Sequence, residues 1–271
     1  QAAGETPDKP ALGAIDRASF AQLIDSLAAL VKLLPGDRAM CFADDAPAQR
    51  MFTVLAALAA GSEAYVAPSG LPADPARLVG TLVDEGIAWM HASGTTWRSV
   101  LAGLAGRSVD MVALVDVTEL GAELARQLLD SGCTLVSTYR SHALMLPVSA
   151  GLVRDERDCM LFGKPLIAGM LDVQDQGGAR APVSVGASLR LGLPGVDADT
   201  GSLARWRADG VLQYLGESGP ISYVEGHRIN LEQLLASVRS LPGVAAAAAI
   251  TRDDPVLNRC LIVGIEPSQG A

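Results

Sequence analysis

The sequence predicts a layered α/β fold, then a small β-barrel-like segment and a small C-terminal α+β lobe. Three observations carry that expectation. Between residues 15 and 146, short apolar runs alternate with stretches of helical periodicity, the pattern of strands laid between helices. From residue 147 the apolar runs shorten and Gly and Pro interrupt them, as in PLIAGMLDVQDQGGARAPVSVGASLRLGLPGV, a texture that suits small antiparallel strands. Beyond Gly219-Pro220, one helical segment stands among strand-like runs.

The elements come in this order. QAAGETPDKP is polar and reads as part of a linker over residues 1–14. Phe20, Leu23, Ile24, Leu27, Leu30, Val31 and Leu34 fall at helical spacing, with Ser19 as the expected cap and Pro35-Gly36 as the stop. AMCF (39–42) is a buried strand. Pro47 opens a helix with Met51, Phe52, Leu55 and Leu58 on its apolar face, ending at Gly61. EAYVA comes next as a strand, and Asp74-Pro75 opens a helix carrying Leu78, Leu82 and Val83. IAWMH (87–91) precedes a helix around Trp97 and Leu101. MVALVD (111–116) precedes one with Leu120, Leu124, Leu128 and Leu129, and TLVSTY (134–139) closes the α/β part. Residues 147–218 form the β-rich part. Residues 219–271 form the last lobe: ISYVEGHRI as a hairpin strand, NLEQLLASVRSL as a helix capped by Asn230, then strands VAAAAAITR and CLIVGIE.

Composition bounds the function. The chain of 271 residues is 49% hydrophobic and 19% charged, enough for a real core and too apolar for disorder. A net charge of -9 argues against nucleic acid and anionic membranes, which want basic patches. Cys41, Cys133, Cys159 and Cys260 form no C-x-x-C, so neither a zinc site nor a disulfide framework is expected. No secretory signal and no apolar run of about 20 residues is found, and a cytoplasmic protein is expected. His91, His142 and His227 are too scattered to suggest a metal. No phosphate-loop, H-E-x-x-H or G-x-S-x-G motif occurs.

Longer segments say more. PGDRAMCF, LAALAAGSEAYVAP, DPARLVGTLVDEGIAWMHASGTTWRSVL, VTELGAELARQLLDSGCTLVSTY, FGKPLIAGMLDVQDQGGARAPVSVGASLRLGLPGV, GSLARWRADGVLQYLGESGPISYVEGHRIN and RSLPGVAAAAAITRDD stand in this order. Together they resemble the adenylation domains of nonribosomal peptide synthetases, within the adenylate-forming ligases. The resemblance covers residues 13 to 255. It implies a truncated adenylate-forming-ligase fold, because the family's phosphate loop lies before the first matching segment.

The departures from that family bear on chemistry. Where the family reads YGPTE, this chain has Tyr139-Arg140-Ser141-His142-Ala143: Ala143 replaces the acid that helps hold magnesium, and Arg140 replaces a small glycine. The family's ribose-holding aspartate is Ser202, and a phosphate-side arginine is Glu217. The hinge aspartate is Gly219, and a lysine and an arginine become Tyr223 and Glu225. Ala48 aligns with an aspartate that clamps substrate. The resemblance therefore implies a pseudo-adenylation domain with no catalytic residues and no metal site, in which ATP and magnesium binding is lost. Its partners would be adjacent condensation, tailoring and carrier-protein domains. Two alternatives stand beside it. One is the C-terminal part of an interrupted but active adenylation domain. The other is a repurposed acyl- or carrier-protein-binding module, with Thr95, Thr96, Trp97 and Tyr139 lining a vestigial pocket beside His142.

Overall fold

A computed structural model describes residues 15–141, 144–175, 177–217, 221–224, 227–254 and 258–267. Its frame is one long sheet. Strands β1 (Arg38–Phe42), β2 (Glu63–Ala67), β3 (Trp89–His91), β4 (Val112–Asp116) and β5 (Thr134–Ser141) are parallel, in the order β2-β1-β3-β4-β5. Strands β6 (Leu146–Val153), β7 (Leu161–Pro165), β8 (Leu171–Gln174), β9 (Ala187–Leu193), β10 (Val196–Trp206) and β11 (Leu212–Glu217) extend it antiparallel, in the order β6-β7-β11-β10-β9-β8. The eleven strands thus run without a break across residue 146.

Five helices cover the parallel part: α1 (Arg17–Val31), α2 (Pro47–Ala59), α3 (Pro75–Asp84), α4 (Gly94–Leu104) and α5 (Ala122–Asp130). Two buried clusters result. One joins Leu23 and Leu27 of α1 and Phe52 of α2 to Trp89, Leu114 and Val136 of the sheet. The other joins Leu78, Trp97, Leu124 and Leu128 of α3, α4 and α5 to Met40, Ala113, Val115 and Leu135. On β4 the neighbours Ala113, Leu114 and Val115 alternate between the clusters, as the two-residue period of a strand requires. Each fully buried Leu or Phe contributes about 1.5–3 kcal/mol of transfer free energy, so these faces hold the layers together.

Most helix signals sit where the sequence puts them. Pro47 and Pro75 open α2 and α3, and the Asp74 carboxylate accepts the Arg77 amide at 3.1 Å. The cap of α1 is a correction: it is Asp16, not Ser19. The Asp16 carboxylate accepts both the Ser19 amide (2.9 Å) and the Ser19 hydroxyl (2.7 Å). A carboxylate takes both bonds and also favours the positive end of the helix, which a hydroxyl does not.

The last lobe contains an antiparallel ribbon of β12 (Ile221–Val224) and β13 (His227–Asn230), then α6 (Leu231–Arg239), then a second ribbon of β14 (Val244–Asp254) and β15 (Asn258–Pro267). ISYVEGHRI therefore supplies two strands. Asn230 ends β13, immediately before α6. Among the described residues no helix is long and apolar enough to cross a membrane.

Candidate functional site

The sheet order reverses at β1: the chain passes to β2 on one side, then returns to place β3 on the other. In open α/β sheets, the crevice beyond the carboxyl ends of the strands at such a point is where ligands bind. The residues there come from strand ends. Asp45, just after β1, accepts the Phe42 amide at 2.7 Å, and burial pushes its carboxyl above the usual range. His91 ends β3 and Asp116 ends β4.

Arg140 ties this crevice together. Its guanidinium Nη1 donates to Gln49 Oε1 of α2 at 2.7 Å, and Gln49 Nε2 donates to the His91 carbonyl at 3.3 Å. The Arg140 amide donates to Asp116 Oδ2 at 3.1 Å, while Asp116 Oδ1 accepts the Thr118 amide and hydroxyl at 3.0 and 2.7 Å. The result is a strap from β5 over the strand ends to α2. The His91 imidazole lies within it, Nε2 at 3.2 Å from the Thr138 hydroxyl and Nδ1 with no partner among the described residues. Burial, reinforced by the Arg140 charge, lowers the His91 pKa to about 3, so the ring is neutral at physiological pH. Nearby, Glu119 Oε2 accepts the Gly94 amide at 2.6 Å, at the first residue of α4.

A second polar cluster begins one residue away. The β5–β6 register shifts between Tyr139 and Arg140, and the two side chains enter different surroundings. The Tyr139 hydroxyl lies 3.0 Å from Ser202 Oγ on β10. Ser202 Oγ in turn donates towards both Glu217 oxygens, at 3.1 and 3.3 Å. The Tyr214 hydroxyl donates to Glu217 Oε1 at 2.6 Å, and the Ser202 amide to Thr200 Oγ1 at 3.2 Å. Aromatic rings pack the cluster, with Tyr139 and Phe162 centroids 4.3 Å apart and those of Phe162 and Tyr214 5.2 Å apart. Ser202 and Tyr139 are fully buried, and burial raises the Tyr139 phenol pKa well above its ordinary value, so it remains a hydrogen-bond donor. The relay runs from Tyr139 through Ser202 to the Glu217 carboxylate. It binds the chain's own groups and leaves the Ser202 hydroxyl closed to solvent.

The singled-out positions therefore separate. Ser202, Glu217 and Tyr139 form one cluster, and Arg140 belongs to the other. The shared pocket expected for Thr95, Thr96, Trp97 and Tyr139 is corrected. Trp97 is fully buried in the α3–α5 cluster, with Nε1 donating to the Leu114 carbonyl at 3.2 Å, whereas Tyr139 belongs to the other core. Thr96 is buried, with its amide on the Ser93 hydroxyl of the helix cap, and Thr95 is exposed. Large side chains fill those positions because each completes a separate apolar layer. Ala48 lies in the first turn of α2, and Tyr223 pairs with Arg228 across the β12–β13 ribbon. Ala143, His142, Gly219 and Glu225 lie outside the described residues. Gln49, Asp116, Glu119 and Tyr214 were not anticipated. The signal for Asp116 is its place at the end of the apolar run MVALVD, where a strand delivers its last side chain to the crevice. No group of three or more metal-ligating side chains occurs among the described residues.

No family model matches the chain. It is 25% identical over 224 residues to a dimodular nonribosomal peptide synthase of Bacillus subtilis (strain 168), a match covering 73% of this chain and 9% of that protein. It superposes on the crystal structure of IdnL1 with a TM-score of 0.76 at 21% identity, over 93% of this chain and 58% of that one. It also superposes on NpsA-ThdA, an artificially fused adenylation-PCP di-domain NRPS from Klebsiella oxytoca, with a TM-score of 0.74 at 15% identity, over 92% of this chain and 52% of that one. The chain thus spans little more than half of these solved structures and a small fraction of the synthase. The adenylation-domain resemblance read from the sequence holds, and the fold is that of the adenylate-forming ligases.

Proposed function

We propose that this adenylation-domain relative is a non-catalytic, cytoplasmic domain of a peptide-assembling synthetase that binds neither ATP nor magnesium. Its role would be a platform on which neighbouring condensation, tailoring or carrier domains dock. The observation that carries the reading is the Tyr139–Ser202–Glu217 relay. At the position where the resemblance implies a ribose-holding acid there is a buried serine whose hydroxyl is engaged at 3.0 and 3.1 Å. At the position of a phosphate-side cation there is a carboxylate, which repels a nucleotide. Arg140 supports the reading, since its strap crosses the crevice where an acyl group would enter. Losing one positioned electrostatic contact commonly costs about 10²–10³-fold in rate, and here several are replaced.

Calorimetry with ATP and Mg²⁺, together with amino-acid-dependent pyrophosphate exchange, tests the proposal. No binding and no exchange are expected, and robust exchange by the chain alone would overturn it. A second reading, the C-terminal part of an interrupted active domain, rests on the chain's similarity to a nonribosomal peptide synthase at 25% identity. It predicts exchange once a complementary N-terminal portion of an adenylation domain is supplied, and no rescue would count against it. For a third reading, an acyl- or carrier-protein-binding module, the placing of Trp97 and Tyr139 in different buried clusters counts against a pocket shared by the two.

A further inference from the structure

A different cleft lies mid-sheet, at the opposite end of the strands from the crevice. The crevice sits beyond the carboxyl end of β5, but the last residues of β6, Leu152 and Val153, pair with Val136 and Leu135 near the start of β5. There α1, β6, β7 and the turn between β10 and β11 enclose about 490 Å³. That is within the range of small-molecule sites, roughly 300–1,000 Å³. Two glycines form part of its wall. Gly163 has a φ of +77°, and a Cβ there would stand 2.0 Å from the Ala150 carbonyl oxygen. A Cβ on Gly151 would stand 2.7 Å from the Gly163 Cα, so the strands cross here as bare backbone.

The remaining lining is of two kinds. Leu30, Leu152, Leu161 and Val211 make an apolar floor, and Leu152 is 41% exposed, unusual for an aliphatic side chain inside a concavity. Arg154, Lys164 and Arg207 supply three positive charges against the two negative charges of Asp158 and Asp209. Arg207 is paired with Asp209 at 3.0 Å, and Asp158 accepts the Arg154 amide at 3.1 Å. Arg154 and Lys164 have no ion-pair partner among the described residues. One net positive charge beside an apolar floor selects a ligand with one negative charge and an apolar body. A dianion such as a phosphate monoester would bring surplus charge towards Asp158 and Asp209.

We propose that this cleft binds an amphipathic monocarboxylate, its head held by Arg154 and Lys164 and its aliphatic tail laid on Leu30, Leu152, Leu161 and Val211. Nothing in the proposal depends on the crevice or on whether the chain is catalytic. The two cations together hold the head, and burial of methylenes adds the affinity that a single exposed pair does not supply.

The test titrates the full chain with sodium octanoate, sodium hexanoate, 1-octanol and inorganic phosphate by calorimetry, and repeats the octanoate titration on R154Q/K164Q. Octanoate is expected to saturate one site, tighter than hexanoate by about fourfold per methylene. Octanol and phosphate are expected to bind at least tenfold more weakly. The double variant is expected to lose at least tenfold in octanoate affinity with an unchanged melting temperature, both side chains being exposed. Absence of saturable octanoate binding, equal binding of octanol, or an unaffected double variant would each overturn the assignment.

Discussion

Tyr139 and Arg140 are consecutive residues, yet they serve polar clusters of opposite character. The Tyr139 side is closed: its hydroxyls form a relay that ends on Glu217, and tilted and edge-on aromatic rings pack around it. On the Arg140 side, the buried His91 Nδ1 has no hydrogen-bond partner among the described residues. The difference shows how replaced chemistry can be absorbed. Ser202 and Glu217 accommodate each other directly, so their cluster gains a satisfied interior. Arg140 bridges a gap through Gln49 and leaves an unsatisfied imidazole behind it.

Breaking the closed side should give the largest effect. Tyr139→Ala removes a buried ring from between Phe162 and Ser202 and should cost about 3–5 kcal/mol in denaturant unfolding. Tyr139→Phe should cost only about 1 kcal/mol, because Ser202 keeps Glu217 as a partner. If both variants cost the same, the hydroxyl relay and not the packing would dominate.

The next effect sharpens the pairing of Ser202 with Glu217. Ser202→Asp sets a second carboxylate about 3 Å from the first and should destabilise by about 2–3 kcal/mol at neutral pH. Adding Glu217→Arg should return at least half of that loss, as a coupling that single variants do not show. Additive losses in the double variant would mean that the two positions are independent.

On the other side, His91 sets an acid limb. Its folded pKa of about 3 lies below the ordinary 6.5, so the unfolded chain takes up a proton that the folded chain refuses. Stability is intact above pH 6.5 and falls as pH drops through the window towards 3, by about 2 kcal/mol at pH 5. His91→Gln should flatten that part of the pH–stability curve, and an unchanged slope would assign the limb to other groups. The smallest effect belongs to the strap: Gln49→Ala should cost about 1–2 kcal/mol, with Arg140 left facing the crevice. A loss below about 0.5 kcal/mol by thermal unfolding would show that the strap bears no weight.

The fold was largely legible because apolar periodicity encodes layers directly. Leu23, Leu27 and Val31 of α1, and Leu78 and Leu82 of α3, are buried at the spacing the sequence shows. The cap of α1 was not legible because Asp16 and Ser19 are both capping types, and only geometry decides which accepts. The Ser202–Glu217 contact was hidden for a sharper reason. Trp206 pairs with Leu212, and an unbroken hairpin from there would set Ser202 opposite Gly216. A register shift between Leu203 and Ala204 moves the pairing by one residue and brings Glu217 to Ser202 instead. Counting along the sequence has no access to a bulge. Likewise, nothing in the spacing shows that Gln49 and Arg140, 91 residues apart, meet over the strand ends.

The continuity of the sheet has one further consequence, for how it opens. Its ladder is thin at β7, which meets β6 at Ser149–Pro165 and Ala150–Lys164, and β11 at Leu212–Gly163 and Gln213–Leu161. Pro165 donates no amide, and a register shift interrupts the other side. Backbone amides along β7 therefore have few bonds to break before exchanging with water, while those of β4 and β5 are fastened on both sides. Hydrogen exchange is therefore expected earlier at Leu161–Pro165 than along β4 and β5.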